Sequence, residues 1–189
     1  MVKVSEIHEV CARALEGHGA APWVAAHVAQ ATARAEQIGN TICGLSYMDS
    51  YCGALGTGRV DGTAEPVIEV LRPAQIRVDA RQGFAQPAFA RAFDTFVDAA
   101  KTQGIAALGV ANAHTCTSLG YFTEQLAAKG LVALGFTNAS PVVAPPGGST
   151  PVIGTPASGP SSIVPNSPDE LFWMRGSSRS LTPNSESIF

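Results

Sequence analysis

The residue types best suited to chemistry stand together in one stretch, Asn112-Ala-His-Thr-Cys-Thr-Ser-Leu-Gly-Tyr-Phe122. In a chain rich in Ala and Val it gathers His114, Thr115, Cys116, Thr117 and Ser118. The apolar run Ile105 to Val110 precedes it, and a helix-forming run that stops at Gly130 follows. The loop between the carboxyl end of a strand and the start of a helix is where α/β proteins bind ligands. The first helical turn offers N–H groups without intrahelical acceptors and the positive end of the helix dipole. Small hydroxyl side chains let a phosphate come close and add donors of their own. Thr115 to Leu119 therefore form a candidate diphosphate cradle, and His114 a candidate donor to a phosphate or carboxylate. A plainer alternative remains open, in which Thr117 or Ser118 caps the helix and His114 is a satisfied loop residue. The chain holds no GxGxxG or P-loop pattern.

Positioning this loop requires a framework, and the hydrophobic pattern supplies one. Val4 to Leu15 reads as a helix stopped by Gly17 and Gly19, with Ser5 a candidate cap. Ala20 to Ile38 reads as a second, with Pro22 in its first turn, where a missing N–H is harmless. A third spans about Cys43 to Leu55. Val67 to Leu71 and Ala74 to Asp79 read as strands, the second alternating apolar and polar residues. Phe89, Phe93, Phe96 and Val97 recur at helical spacing within a helix from Gln86 to Thr102. Ile105 to Val110 and Leu131 to Phe136 read as buried strands flanking a helix from Ser118 to Lys129, which predicts a βαβ crossover.

Composition bounds the rest. The chain has 189 residues, 46% of them hydrophobic and 14% charged, with a net charge of −3. That is a globular composition. No block of like charge favours nucleic acid or an anionic membrane, and no apolar run approaches the roughly 18 residues of a spanning helix. Cys11, Cys43, Cys52 and Cys116 have no metal-ligand spacing, so no metal is expected. The N-terminus lacks an apolar signal core, so reduced thiols and a cytoplasmic location are the expectation. Ala is frequent as far as Ala157 and absent from Ser158 to Phe189, where Lys is absent too and Ser and Pro take over. An irregular tail is expected there, either solvent-exposed or not the natural continuation of the domain, as a reading-frame shift would produce.

Further landmarks occur in order. They are Gly62, Pro66, Val78-Asp79, Gly83-Phe-Ala-Gln86, Gly104-Ile105 and Asn112-Ala-His114, then Gly130-Leu131, Thr137-Asn138, Pro145-x-Gly147 and Ile153-Gly-Thr155. In this order they resemble the malate/L-lactate dehydrogenase family, whose nucleotide-binding fold is not Rossmann. Ile76-Arg-Val-Asp-Ala-Arg-Gln-Gly-Phe-Ala-Gln-Pro-Ala88 is most similar to the reductases of Δ1-piperideine-2-carboxylate and Δ1-pyrroline-2-carboxylate, and the sulfolactate dehydrogenases belong to the same group. The resemblance covers about residues 1 to 155. It implies an α/β fold with an N-terminal helical segment, 1–58, then an incomplete NAD(P)-binding α/β domain, 59–157, and the irregular tail, 158–189. It implies NADPH or NADH as cofactor, a homodimer, and reduction of a C=O or C=N bond beside a carboxylate in a small 2-oxo or 2-imino acid. Asn138, Gly154 and Thr155 fall where the family lines the cofactor and substrate pocket.

Two departures qualify the resemblance. The family's acid/base turn, Ser-His-Gly followed by Arg and Tyr, matches Ile42-Cys43-Gly44, then Tyr47 and Tyr51, so the catalytic His is replaced. Cys43 and Tyr47 are the candidate proton donors, although a thiol with an ordinary pKa of about 8.5 substitutes poorly for imidazole. A small packed Cys43 and a half-buried Tyr47 remain the alternative. The family's Gly-Thr-Asn-Pro segment also appears as Gly154-Thr155-Pro156, and the resemblance stops there. A truncated, inactive remnant and a small anion- or nucleotide-binding module are therefore carried beside the reductase. Arg59, Arg72, Arg77 and Arg81 are the nearest cations for a substrate carboxylate, but surface solvation explains them better.

Overall fold

The computed structural model describes residues 2–137, 144–150 and 158–161. Two long helices come first, α1 (Val4–Gly17) and α2 (Pro22–Gln37), with Pro22 at the start of α2 as its missing N–H allows. Ala25, Val28 and Ala29 of α2 meet Cys11 and Leu15 of α1, all buried. The third helix is shorter than the sequence predicts. Two 3-10 turns, Thr41–Cys43 and Leu45–Tyr47, precede α3 (Met48–Gly56). The cause is Glu36 of α2. Its carboxylate accepts the Leu45 N–H at 2.7 Å and stands where a Cβ on Gly44 would be, so the chain breaks between the two turns.

β1 (Val67–Arg72) and β2 (Gln75–Asp79) form an antiparallel hairpin. α4 (Ala85–Gln103) then crosses over to β3 (Ala107–Ala111), which pairs with β2 in parallel. The order β1-β2-β3 places β3 at one end of this sheet. Ala88 and Ala92 of α4 pack on Val78, their small side chains allowing the helix close to the sheet. The expected crossover from the Ile105–Val110 run to the Leu131–Phe136 run is corrected accordingly. α5 (Leu119–Ala127) leads to β4 (Ala133–Phe136), which pairs antiparallel with β5 (Ser158–Ser161) in a separate two-stranded sheet. The crossover is β2-α4-β3, one step earlier in the chain. Ser158–Ser161 is likewise not irregular, because its backbone completes the ladder of β4.

The expectation that both apolar strands are buried fails too. Leu134 and Phe136 are 66% and 73% exposed, and Val110 is 37% exposed. An unbroken apolar run records what a strand could bury, not whether anything covers it. Here α4 covers one face of the first sheet, and the other opens as a shallow groove of about 440 Å³ lined by Leu71, Arg77, Gly109 and Ala111 among others.

The core crosses from the helical segment to the sheet. Val60 and Phe84 belong to the same buried cluster as α1, α2 and α3, and Phe89, Val97, Leu126 and Ala133 form a separate cluster between α4, α5 and β4. Arg34 of α2 forms an ion pair with Glu124 of α5, and Tyr121 donates to Gln30 Oε1 at 3.4 Å. No described helix is long and apolar enough to cross a membrane.

Burial sets the expected pH dependence of stability. Burial pushes up the Cys11 thiol and the Tyr51 phenol, and takes the Tyr121 phenol up to about 12. The unfolded chain releases these protons at lower pH than the folded one, so stability falls as pH rises beyond about 9. Burial first, then a nearby Arg, holds the His27 and His114 imidazoles below their ordinary range. The unfolded chain takes up those protons first, so stability also falls below about pH 6.5. Thermal unfolding midpoints measured from pH 5 to 11 are expected to show a plateau between these limits. A midpoint still rising beyond pH 10 contradicts this account.

Candidate functional site

Parallel pairing of β2 and β3 brings their carboxyl ends side by side, so the turn after β2 and the loop after β3 become neighbours. Backbone hydrogen bonds join the two: Ala80 N–H to Ala111 O at 2.9 Å, Gln82 N–H to Asn112 O at 2.7 Å, and His114 N–H to Gly83 O at 2.8 Å. One carboxylate anchors both segments. Asp79 Oδ1 accepts the Arg81 N–H at 2.9 Å and the Asn112 side-chain amide at 3.0 Å. The Arg81 N–H, and after it Asn112, hold the Asp79 carboxyl below the usual range.

The described chain has four non-glycine residues with positive φ, and all four lie here: Arg81 at 51°, Gln82 at 63°, Asn112 at 52° and Thr117 at 54°. Asn tolerates this region, whereas a β-branched Thr resists it. Strained backbone of this kind persists only where its surroundings over-determine it, and such places concentrate at functional sites.

The structure brings His114, Thr115, Cys116, Thr117, Ser118 and Leu119 to one partly exposed loop leading into α5. Ser118 sits at the N-cap position, yet its side chain makes no capping hydrogen bond, so its hydroxyl is uncommitted to the helix. Two positions on, Gly120 leaves open space where a Cβ would be, apart from Ser118 Oγ at 3.9 Å. An uncapped hydroxyl at the helix start, with open space where a Gly120 side chain would stand, is compatible with the approach of a dinucleotide's diphosphate. Thr117 is engaged differently. Its hydroxyl donates to Cys116 O at 2.7 Å and contacts Tyr51 Oη at 3.0 Å. His114 Nε2 is buried without a partner, and its ring packs on Phe84 and Tyr51 at centroid distances of 5.8 and 6.2 Å. Cys116 Sγ lies 3.6 Å from Thr137 Oγ1.

Cys43 and Tyr47 occupy the two 3-10 turns beside this loop. Tyr47 packs edge-on against Tyr51 at 5.0 Å, and Tyr51 reaches Thr117. Burial raises the Cys43 thiol above its ordinary pKa, opposed by a hydrogen bond from Asn40 and reinforced by the Cys116 thiol nearby. Cys43 therefore keeps its proton at neutral pH. All four cysteines are unbridged. Asn138, Gly154 and Thr155 lie outside the described residues.

The sequence singled out neither Phe84 nor Gln86, though both are almost completely buried at the junction of the sheet, α3 and the loop. Their place in the Gly-Phe-Ala-Gln run was the one available signal. Asp79 and Asn112 were visible only as parts of a motif.

The malate/L-lactate dehydrogenase family pattern matches residues 2–160. The chain belongs to this family. Among its relatives, the Δ1-pyrroline-2-carboxylate/Δ1-piperideine-2-carboxylate reductase of Pseudomonas syringae pv. tomato is 36% identical over 154 residues, 82% of this chain and 45% of that protein. The (2R)-3-sulfolactate dehydrogenase (NADP+) of Chromohalobacter salexigens is also 36% identical, over 82% of this chain and 46% of its own length. The crystal structure of the P. syringae Δ1-piperideine-2-carboxylate reductase superposes with a TM-score of 0.79 over 82% of this chain and 47% of that one. A malate dehydrogenase of Pyrococcus horikoshii, at 22% identity and a TM-score of 0.81, shares the fold. The chain spans about half the length of the curated relatives it matches. The α/β architecture implied by the resemblance is thus the architecture of the malate/L-lactate dehydrogenase family.

Proposed function

We propose that this chain serves an NAD(P)H-dependent reduction of a C=O or C=N bond beside a carboxylate, in a small 2-oxo or cyclic 2-imino acid. The observation that carries the reading is the strained loop at the carboxyl ends of two parallel strands, opening onto a helix start whose Ser118 hydroxyl is uncapped. The relatives' own substrates, cyclic imino acids and sulfolactate, support it and weigh against an inactive remnant. A homodimer and a cytoplasmic setting belong to the same proposal.

Bound dihydronicotinamide supplies the hydride. Ser118 Oγ and the first N–H groups of α5 hold the diphosphate, their positive end facing its charge. The hydroxyls of Thr115 and Thr117, the Cys116 thiol, His114 and Leu119 shape the cradle from the loop. Asn138, Gly154 and Thr155 are proposed to line the same pocket. Cys43 and Tyr47 are the proton donors to the reduced centre. A thiol whose pKa is raised holds its proton at neutral pH but gives it up reluctantly.

Ser118→Ala removes one charge-assisted donor and is expected to weaken NADPH binding by about tenfold, measured by isothermal titration. Absence of NADPH binding by the wild-type chain at millimolar concentration overturns the proposal. Equal stabilisation by inorganic phosphate and NADPH identifies an anion-binding module instead.

A further inference from the structure

A buried hydrogen-bond chain runs from α4 to the cradle loop. Gln86, 1% exposed on the first turn of α4, donates its side-chain N–H to Tyr51 Oη at 3.1 Å and approaches Cys116 O at 3.4 Å. Tyr51, also 1% exposed, lies 3.0 Å from Thr117 Oγ1, and Thr117 donates to Cys116 O at 2.7 Å. Donor counting fixes the direction. Cys116 O can only accept, so the Thr117 proton points at it. Tyr51 must then donate to Thr117, which leaves its own lone pairs to accept from Gln86. The reverse orientation of the Gln86 amide would set one carbonyl oxygen against another at Cys116. The orientation observed leaves Gln86 Oε1 buried without a partner.

An unsatisfied amide oxygen and a threonine in the left-handed region are both unfavourable. They stand at the two ends of this hydrogen-bond chain, the amide oxygen on the first turn of α4 and the threonine in the loop that leads into α5. We propose that Gln86, Tyr51 and Thr117 form a latch that holds residues 112–118 in the conformation that receives the dinucleotide, with Tyr51 as the positioning residue. Thr117 then acts through its hydroxyl on the loop backbone rather than as a phosphate ligand. The inference rests on the proposed nucleotide site for its purpose, but the latch is measurable without nucleotide.

The test uses the full chain and two readouts, backbone hydrogen exchange and NADPH affinity by titration. Tyr51→Phe keeps the ring that packs at 5.4 Å on Phe84 and removes only the hydroxyl. It is expected to speed exchange of the amides of residues 115–119 roughly tenfold, leave α1 and α2 unchanged, and weaken NADPH about tenfold. Thr117→Val is expected to do the same, Thr117→Ser to retain wild-type behaviour, and the Tyr51→Phe/Thr117→Val pair to be no worse than either single variant. Unchanged exchange of 115–119 in Tyr51→Phe, exchange accelerated uniformly through α3 and α4, or strictly additive effects in the pair each overturn the latch. If the wild-type chain binds no NADPH, the functional proposal falls, and the exchange data alone decide the latch.

Discussion

Phe84→Ala is expected to cost about 3–5 kcal/mol of folding free energy. The ring is 1% exposed and belongs to the core cluster shared by α1, α2 and α3. It stands edge-on to Tyr51 at 5.4 Å and tilted to His114 at 5.8 Å, so it is the apolar wall between the helical core and the cradle loop. Truncation leaves a cavity that neither neighbour can fill. Tyr51 is held by Gln86 and Thr117, and the His114 backbone by its N–H bond to Gly83 O at 2.8 Å. The loss therefore has a local signature besides the global one: residues 112–118 exchange their amides faster than the lowered stability alone explains. Denaturant unfolding gives the first quantity and hydrogen exchange the second. A loss below about 1 kcal/mol, the size of a volume-conserving swap, contradicts the packing described.

Gly62→Val is expected to be nearly as damaging, with a loss of about 3 kcal/mol or more and a correspondingly reduced yield of folded protein. A Cβ at Gly62 would lie 2.6 Å from Gly19 O and 2.8 Å from both Ala20 Cα and a Leu55 methyl. Two of these three neighbours are backbone, which cannot swing aside. The Gly62 carbonyl also accepts the Ala21 N–H at 2.9 Å, fixing the turn between α1 and α2 against the end of α3. Gly104→Ala is the matched control. Its left-handed φ of 79° makes substitution costly by about 1 kcal/mol, yet nothing crowds the added methyl. Comparable losses at the two sites, read from thermal and denaturant melts, contradict the steric account at Gly62.

The two long helices and α4 were legible because their apolar residues recur at a period that a helix satisfies and a strand does not, as Phe89, Phe93, Phe96 and Val97 do. β2 was legible by alternation: Ile76 and Val78 are buried, Gln75 and Arg77 exposed. The break before α3 was not, because its cause is Glu36, a residue on another element. Nor was the partner of β4, since no apolar pattern in Ser158 to Ser161 announces a strand whose contribution is its backbone. The loop at the head of α5 was legible as a cluster of hydroxyls at a strand–helix junction. Its internal division was not. Thr117 and Ser118 are neighbours of similar chemistry, and only coordinates show the first bonded to Tyr51 and the second uncapped. Arg81 and Gln82 carry no glycine-like signal for their left-handed backbone, which the bonds across to Asn112 and Asp79 impose.

β3 ends its sheet, with Val110 partly uncovered and, on the neighbouring sheet, Leu134 and Phe136 bare. A strand margin that is hydrogen-bonded on one side among the described residues presents an unsaturated ladder to its surroundings. Any extended polypeptide that docks there gains main-chain bonds and apolar cover at once.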